Sequence, residues 1–225
     1  IGFNTITDES GDYRPGIYAT ADPPNEMPRG GDIWFNKGFT SDNFSQGLVE
    51  GFDTPTPSSI MLHEILHSLG LEHPNDNAKH QVPDSINNWE HTILASGDLV
   101  YSHSAEFYAD EKSYGVSSTP MPWDLAALQH LYGANQETNK GDTTYMYSNT
   151  IPFYKTIWDA SGDDTLDFSN FTKDLEVNLT DGDLSTLSFD VDDQRWANKQ
   201  HGNLGIAFGC IIENAAGGAG NDSII

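Results

Sequence analysis

Residues 54 to 73 decide the fold, and they read Thr54-Pro-Thr-Pro-Ser-Ser-Ile-Met-Leu-His-Glu-Ile-Leu-His-Ser-Leu-Gly-Leu-Glu-His73. Threonine and proline at the start and glycine near the end predict a helix over about residues 56–69. His63 and His67 are four residues apart on that helix and therefore share one face. Gly70 lets the chain turn away after the helix, so that His73 can return to the same face.

This spacing of histidines predicts a metal site. Neutral imidazoles at His63, His67 and His73 can bind one zinc ion and leave a fourth position open for water. Glu64 directly follows the first histidine, and we predict that it acts as general base on the zinc-bound water, which then attacks an amide. Two histidines four apart on a helix are often structural, but the added glycine and third histidine favour catalytic zinc.

The composition excludes several classes of partner. The chain has 225 residues, with 34 acidic and 10 basic side chains and a formal net charge of -24. Such a chain repels polyanions, which excludes nucleic acids and anionic membranes as partners. No run of apolar residues is long enough to predict a membrane span. Cys210 is the single cysteine and cannot form an internal disulfide, so packed cores, bound metals or both must stabilise the fold.

The chain divides into two predicted parts at residue 135. Residues 1–134 contain predicted strands at 2–6, 16–19 and 33–35 and the histidine helix. They also contain a second predicted helix within residues 119–133, with a proline start and a glycine stop at Gly133. Residues 135–225 predict an all-β domain with strands at 143–147, 156–158, 165–168, 175–179, 184–189 and 204–208. The final nine residues fit one glycine-rich nonapeptide of a calcium-binding parallel β-roll.

These motifs resemble the metzincin clan of zinc peptidases and, within it, the serralysin family of secreted bacterial metalloproteases. Besides the zinc helix through Pro74, the segments that carry the resemblance are residues 14–18, 30–36, 120–135, 158–168 and 212–222. The resemblance implies a metzincin-like α/β zinc protease domain over 1–134, with a partial twisted sheet and two helices. It also implies an all-β calcium-binding β-roll or sandwich domain over 135–225.

The resemblance implies a function as well as a fold. The chain is expected to be a secreted zinc endopeptidase that hydrolyses extracellular proteins and leaves the cell by a type I route with a C-terminal signal. Residues 31–36 are expected to form the edge strand that receives a peptide substrate by strand addition. The substrate-binding residues would then be Gly31, Asp32, Ile33 and Trp34.

Two or more structural calcium ions are also implied by the resemblance. One ion would take the carbonyl oxygens of Asn139, Gly141, Thr143 and Ser161 with the carboxylates of Asp159 and Asp164. A second would take Gly162, Asp164, Ile211 and Glu213. Hard cations prefer such oxygen ligands, although any one of these segments alone also reads as an ordinary Asp and Gly turn.

The chain departs from the family pattern beside the zinc site. Metzincins place a methionine in a tight turn beneath the metal, and serralysins follow it with serine and tyrosine. The matching segment here is Thr92-Ile-Leu-Ala-Ser96, with Leu94 for the methionine and Ser96 for the tyrosine. Leucine conserves the volume of methionine. The missing hydroxyl removes a hydrogen-bond donor to the transition state, for which Tyr101 or Tyr108 could substitute.

A second departure concerns the N-terminal region. The family begins its catalytic domain with a strand, a long helix and another strand before the segment that matches Ile1. The resemblance therefore predicts either an incomplete chain or a further polypeptide that completes the N-terminal sheet. It likewise predicts that the sequence stops at the first nonapeptide of a longer array.

Two functions from different classes remain open on the sequence alone. The first is the zinc endopeptidase, with protein or peptide substrates. The alternative is a weakly active or inactive peptidase-like module of a larger secreted adhesin, surface or particle assembly, which the missing tyrosine would permit. Loss of proteolysis on replacement of Glu64 distinguishes them.

Overall fold

Two helices and a small mixed sheet surround the histidine motif. The structure is a computed structural model that describes residues 2–4, 19–36, 55–76, 82–95, 117–191 and 202–225. Ser96, Tyr101 and Tyr108 of the predicted turn and its possible substitutes lie outside the described residues. Within the described part of the chain, no helix has both the length and the apolar character needed to cross a membrane.

Helix α1 spans Pro55–Ser68, within one residue of the predicted bounds. It ends because Gly70 adopts a φ of 98°, which lets the Leu71 amide donate back to the Leu66 carbonyl at 3.1 Å. Helix α2 spans Pro122–Tyr132 and starts with proline, as its sequence predicts. Gly133, with a φ of 82°, ends it.

The first sheet contains strands β1 (Gly2–Asn4), β2 (Ala19–Ala21) and β3 (Ile33–Asn36) in the order β1-β3-β2. Strand β1 runs parallel to β3, and β2 runs antiparallel to it. Ile33 and Phe35 are buried and pack, with Ala19, against apolar side chains of α1 that include Ile65. The sheet therefore supports the back of the histidine helix.

The expectation of an open edge strand at residues 31–36 is wrong for this sheet. Trp34 is paired with Gly2 on one side and with Thr20 on the other, so β3 is the central strand. Just before it, the Gly31 amide donates to the Asp22 carbonyl and the Asp32 amide donates to the Arg29 carbonyl, both at 2.9 Å. The backbone from Gly31 through Ile33 and Trp34 is thus already hydrogen-bonded, because β1 pairs with one side of β3 and β2 with the other.

The described residues after α2 form short strands: β4 (Thr144–Met146), β5 (Lys155–Ile157), β6 (Thr165–Asp167), β7 (Glu176–Val177), β8 (Leu184–Ser185), β9 (Leu204–Ile206), β10 (Asn214–Ala216) and β11 (Ser223–Ile224). Strands β4, β6 and β10 form one parallel sheet, β7 and β11 pair in parallel, and β9 lies between β5 and β8. Between these sheets lies a core of fully buried side chains, the largest of which are Phe168, Phe171, Phe189, Leu166, Leu175 and Leu204.

The two predicted parts of the chain are in contact. Ser117 forms a parallel bridge with Tyr154, and the Thr119 hydroxyl accepts the Thr156 amide at 2.8 Å. Tyr154 packs against both the β core and the smaller core beneath the histidines. Residues on either side of position 135 therefore share packing surface.

Candidate metal centre

The three predicted histidines converge on one point. The Nε2 atoms of His63 and His67 are 3.0 Å apart, and each is 3.2 Å from that of His73. Helix α1 supplies the first two side chains, and the turn at Gly70 brings the third back to them. Among the described residues, these histidines are the one group of three or more His, Cys, Asp or Glu side chains whose ligand atoms all lie within 4.8 Å of one another.

The opposite ring nitrogen of each histidine faces a fixed acceptor. Nδ1–H of His63 donates to the Ile93 carbonyl at 3.0 Å, and that of His67 donates to the Leu71 carbonyl at 2.8 Å. Nδ1–H of His73 donates to a carboxylate oxygen of Asp76 at 2.7 Å. Because carbonyl oxygens only accept, Nδ1 carries the proton in the neutral rings of His63 and His67. Their Nε2 lone pairs therefore point at the shared centre.

This arrangement fits a cation with nitrogen ligands. Converging lone pairs at about 3 Å repel one another unless a positive charge lies between them. Tetrahedral zinc with Zn–N bonds of about 2.0–2.1 Å holds its nitrogens about 3.3 Å apart, close to the spacing seen here. Histidine ligands that donate their second nitrogen to a carbonyl or carboxylate are typical of zinc sites.

Burial favours the neutral rings of His63 and His67 and raises the pKa of the adjacent Glu64. Desolvation, opposed by the bond to Ile93, lowers the pKa of His63 to about 4, and burial lowers the pKa of His67 as well. Glu64 is only 7% exposed, and burial raises its pKa to about 7. A buried carboxyl group with a pKa near 7 can exchange protons near neutral pH.

An apolar floor lies beneath the histidines. It consists of the buried side chains of Leu66, Leu71, Ile93, Leu94 and Met121, with Trp89, Leu62 and Leu128 packed around them. Leu94 is 2% exposed, so leucine at the expected methionine position is a packed floor residue. Met121 lies directly before the first residue of α2 and also belongs to this floor.

Sequence reasoning missed the residues that orient the ligands. Asp76 is one of them, and a carboxylate three residues after His73 is the signal that could have identified it. The sequence likewise gives no sign of a role for Asp124, which is 2% exposed and lies in the first turn of α2. The Ile93 and Leu71 contacts use main-chain carbonyls, so their residue types carry no signal.

The residues predicted for calcium form a second, acidic cluster. Asp159 and Asp164 are buried at 1% and 0% exposure, and a carboxylate oxygen of Glu213 accepts the Asp164 amide at 2.7 Å. One Asp164 oxygen accepts the Thr143 amide at 2.8 Å, whereas its other oxygen, Oδ2, is buried without a hydrogen-bond partner. Within the described ranges, none of these three acids pairs with a basic side chain.

Some of the remaining residues predicted to bind calcium contact this acidic cluster, and others do not. A Cβ on Gly162 would lie 2.7 Å from Asp164 Oδ1 and 2.9 Å from the Gly141 carbonyl oxygen, so these backbones are in close contact. The Ser161 amide donates to Asp159 at 3.1 Å. Asn139, with a φ of 49°, donates its side-chain amide to Tyr145, and the Ile211 side chain is exposed. Burial first, and then Asp159 and Glu213, raise the pKa of Asp164.

Fold and site together define a class, that of proteins in which three histidines from a helix and the turn after it form a candidate metal centre. Comparison with known proteins gives the family within it: residues 124–225 match the family model described as Peptidase M10 serralysin C terminal. Serralysin B of Dickeya chrysanthemi is 32% identical over 99% of this chain and 46% of its own length. The chain belongs to the serralysin family.

Other relatives agree with this assignment. Metallopeptidase AprA of Pseudomonas marginalis is 37% identical over 73% of this chain and 36% of its own length. Serralysin of Photorhabdus sp. (strain Az29) is 33% identical over 93% of this chain and 44% of its own length. The chain thus spans less than half the length of these relatives.

Proposed function

We propose that this chain is the catalytic and adjoining β portion of a zinc-dependent endopeptidase. The observation that carries the proposal is the convergence of three Nε2 atoms whose opposite nitrogens are each bound to an acceptor. His63, His67 and His73 would hold one zinc ion. In this proposal residues 1–134 form a metzincin-like domain, and residues 135–225 lead into a calcium-binding β-roll.

The proposed chemistry divides between the metal and one carboxylate. When bound, zinc polarises the scissile carbonyl and acidifies the attacking water. Glu64 lies one residue after the proposed ligand His63 and is 7% exposed, and in this proposal it takes up a proton from that water. It then delivers the proton to the leaving amine as the carbon–nitrogen bond breaks, which returns the carboxylate to its starting state.

Two or more calcium ions would stabilise the β part in this proposal. Asp164 supports it most directly, because Oδ2 is a buried charged oxygen without a partner beside two further acids. Asp159, Glu213 and the carbonyls of residues 139, 141, 143, 161, 162 and 211 would complete the sites. Cation binding offsets the cost of burying uncompensated carboxylates.

The proposed substrates are extracellular proteins, and the proposed route out of the cell is type I secretion. Both rest on the family, whose members are named as serralysins and metallopeptidases. The acidic composition is compatible with this setting, because three of the 34 acidic side chains, Asp159, Asp164 and Glu213, are proposed calcium ligands.

Hydrolysis of casein with and without a zinc chelator tests the proposal. Replacing Glu64→Gln keeps the side-chain volume but removes the proton acceptor, which should lower the rate by about 10²–10⁴-fold. Glu72→Gln is the matched control, since Glu72 lies on the same segment but is exposed. Equal rates for wild type and Glu64→Gln would overturn the catalytic role. Zinc binding without chelator-sensitive hydrolysis would instead support the peptidase-like binding module.

A further inference from the structure

The turn beneath the histidines is held from below by one side chain of α2. Oδ1 of Asp124 accepts the Thr92 hydroxyl at 2.5 Å, and Oδ2 accepts the Ile93 amide at 2.9 Å. Oδ2 also accepts the Met121 amide at 2.8 Å, which ties the turn to the start of α2. A single buried carboxylate thus joins segments 31 residues apart.

The same turn orients the first ligand. Ile93 donates its amide to Asp124, and its carbonyl accepts Nδ1–H of His63 at 3.0 Å. The Ile93 side chain is buried beside Leu66 and Leu94, so the residue cannot rotate freely between these two bonds. The position of Asp124 therefore fixes the acceptor that sets the ring of His63.

We infer that Asp124 is a positioning residue for the metal centre, acting on His63 through the backbone of Ile93. This inference rests on the proposed zinc site and adds to it a residue that touches neither metal nor substrate. Replacing partners of metal-ligating histidines costs about 10- to 100-fold in metal affinity. Asp124 should have an effect of that order, because without it the Ile93 peptide loses its anchor.

The contact geometry predicts an order among substitutions. Oδ2 alone accepts both backbone amides, so an asparagine oxygen at that place keeps both bonds. The NH₂ group of asparagine would then face the Thr92 hydroxyl oxygen, which can accept a hydrogen bond from it. Asp124→Asn should therefore bind metal nearly as well as wild type, whereas Asp124→Ala should lose about 10- to 100-fold in affinity.

The test measures metal binding by the full 225-residue chain rather than hydrolysis. Zinc affinity is determined by competition with a chromophoric chelator, and cobalt is then substituted to record the visible spectrum of the site. The expected result is a lower affinity and an altered cobalt spectrum for Asp124→Ala, with both restored in Asp124→Asn. If Asp124→Ala does not fold, Asp124→Glu takes its place, because one added methylene displaces the carboxylate while the charge is kept.

A matched control separates positioning from general loss of stability. Leu175→Ala removes a fully buried side chain of the β core, and Leu175 is not one of the residues that form the floor beneath the histidines. It should lower stability and leave zinc affinity and the cobalt spectrum unchanged. The inference is overturned if Asp124→Ala and Asp124→Glu bind zinc like wild type, or if Leu175→Ala loses as much affinity. A wild-type chain that does not bind zinc would overturn the proposed function itself.

Discussion

The variant Asp164→Asn should be at least as stable as wild type when calcium is removed by a chelator, and less stable than wild type when calcium is present. Without a cation, ionised Asp164 is buried beside Asp159 and Glu213 with one oxygen unpartnered, and these surroundings raise its pKa. Asparagine keeps an acceptor for the Thr143 amide and removes the uncompensated charge. In chelator the variant should therefore melt at the same temperature as wild type or higher.

With calcium present, wild type should be the more stable protein. A cation at about 100 times its dissociation constant adds about 2.7 kcal/mol per site. For a chain of 225 residues each kcal/mol moves the melting temperature by about 2–4 °C, so one site is worth roughly 5–11 °C. Asp164→Asn should lose that increment at every site to which its carboxylate contributes.

The assay is differential scanning calorimetry of both proteins in calcium and in chelator. Asp190→Asn is the matched control, because Asp190 accepts bonds from Thr172 and Asn149 in the same β part but lies outside the predicted calcium residues. Its calcium-dependent shift should equal that of wild type. The reasoning fails if Asp164→Asn keeps the full wild-type shift, or if neither protein responds to calcium.

Three further predictions concern single side chains. Leu94→Ala should cost about 2–5 kcal/mol of unfolding free energy in urea, since Leu94 is buried beneath the histidines, and Leu94→Met less than about 1.5 kcal/mol; equal costs would contradict the floor packing. Gly162→Ala should cost about 1–3 kcal/mol because its Cβ meets Asp164 and Gly141, whereas Gly141→Ala meets nothing within 4 Å and serves as control. Burial raises the pKa of Asp124 from 3.8 to about 6, so its contribution to stability is present below pH 4 and lost as pH rises through 6. The unfolding free energy of wild type minus that of Asp124→Asn should fall by on the order of 3 kcal/mol over this range, and a rise would refute the sign.

Local signals in the sequence predict the helices well. The bounds of α1 come from adjacent proline and glycine, which act within a few residues of where they stand. Strands β7 and β8 are shorter than the alternation of residues 175–179 and 184–189 predicts, because partner strands decide where a ladder ends. Strand β10 was not predicted, since Asn214–Ala216 lacks apolar alternation and forms by parallel pairing with β6, 49 residues away.

In the metal centre too, the sequence predicts the residues placed by local structure but not those placed by distant contacts. Spacing alone brings together His63, His67 and His73, because a helix and one turn fix their geometry. Their hydrogen-bond partners include two main-chain carbonyls, which every residue possesses, and no residue type marks them. The predicted substrate edge at residues 31–34 failed for a related reason: strand pairing across distant segments determines which edge stays open.

The packing of Tyr154 against both cores has a consequence for how the protein unfolds. Unfolding of either core would expose Tyr154, which packs against both. Ser117 and Thr119 also connect the two parts of the chain, through a bridge to Tyr154 and a hydrogen bond from the Thr156 amide. We therefore expect the residues before and after position 135 to unfold together in one cooperative transition. If the acidic cluster binds the proposed calcium, removing that ion should therefore lower the stability of the histidine centre as well as that of the β part.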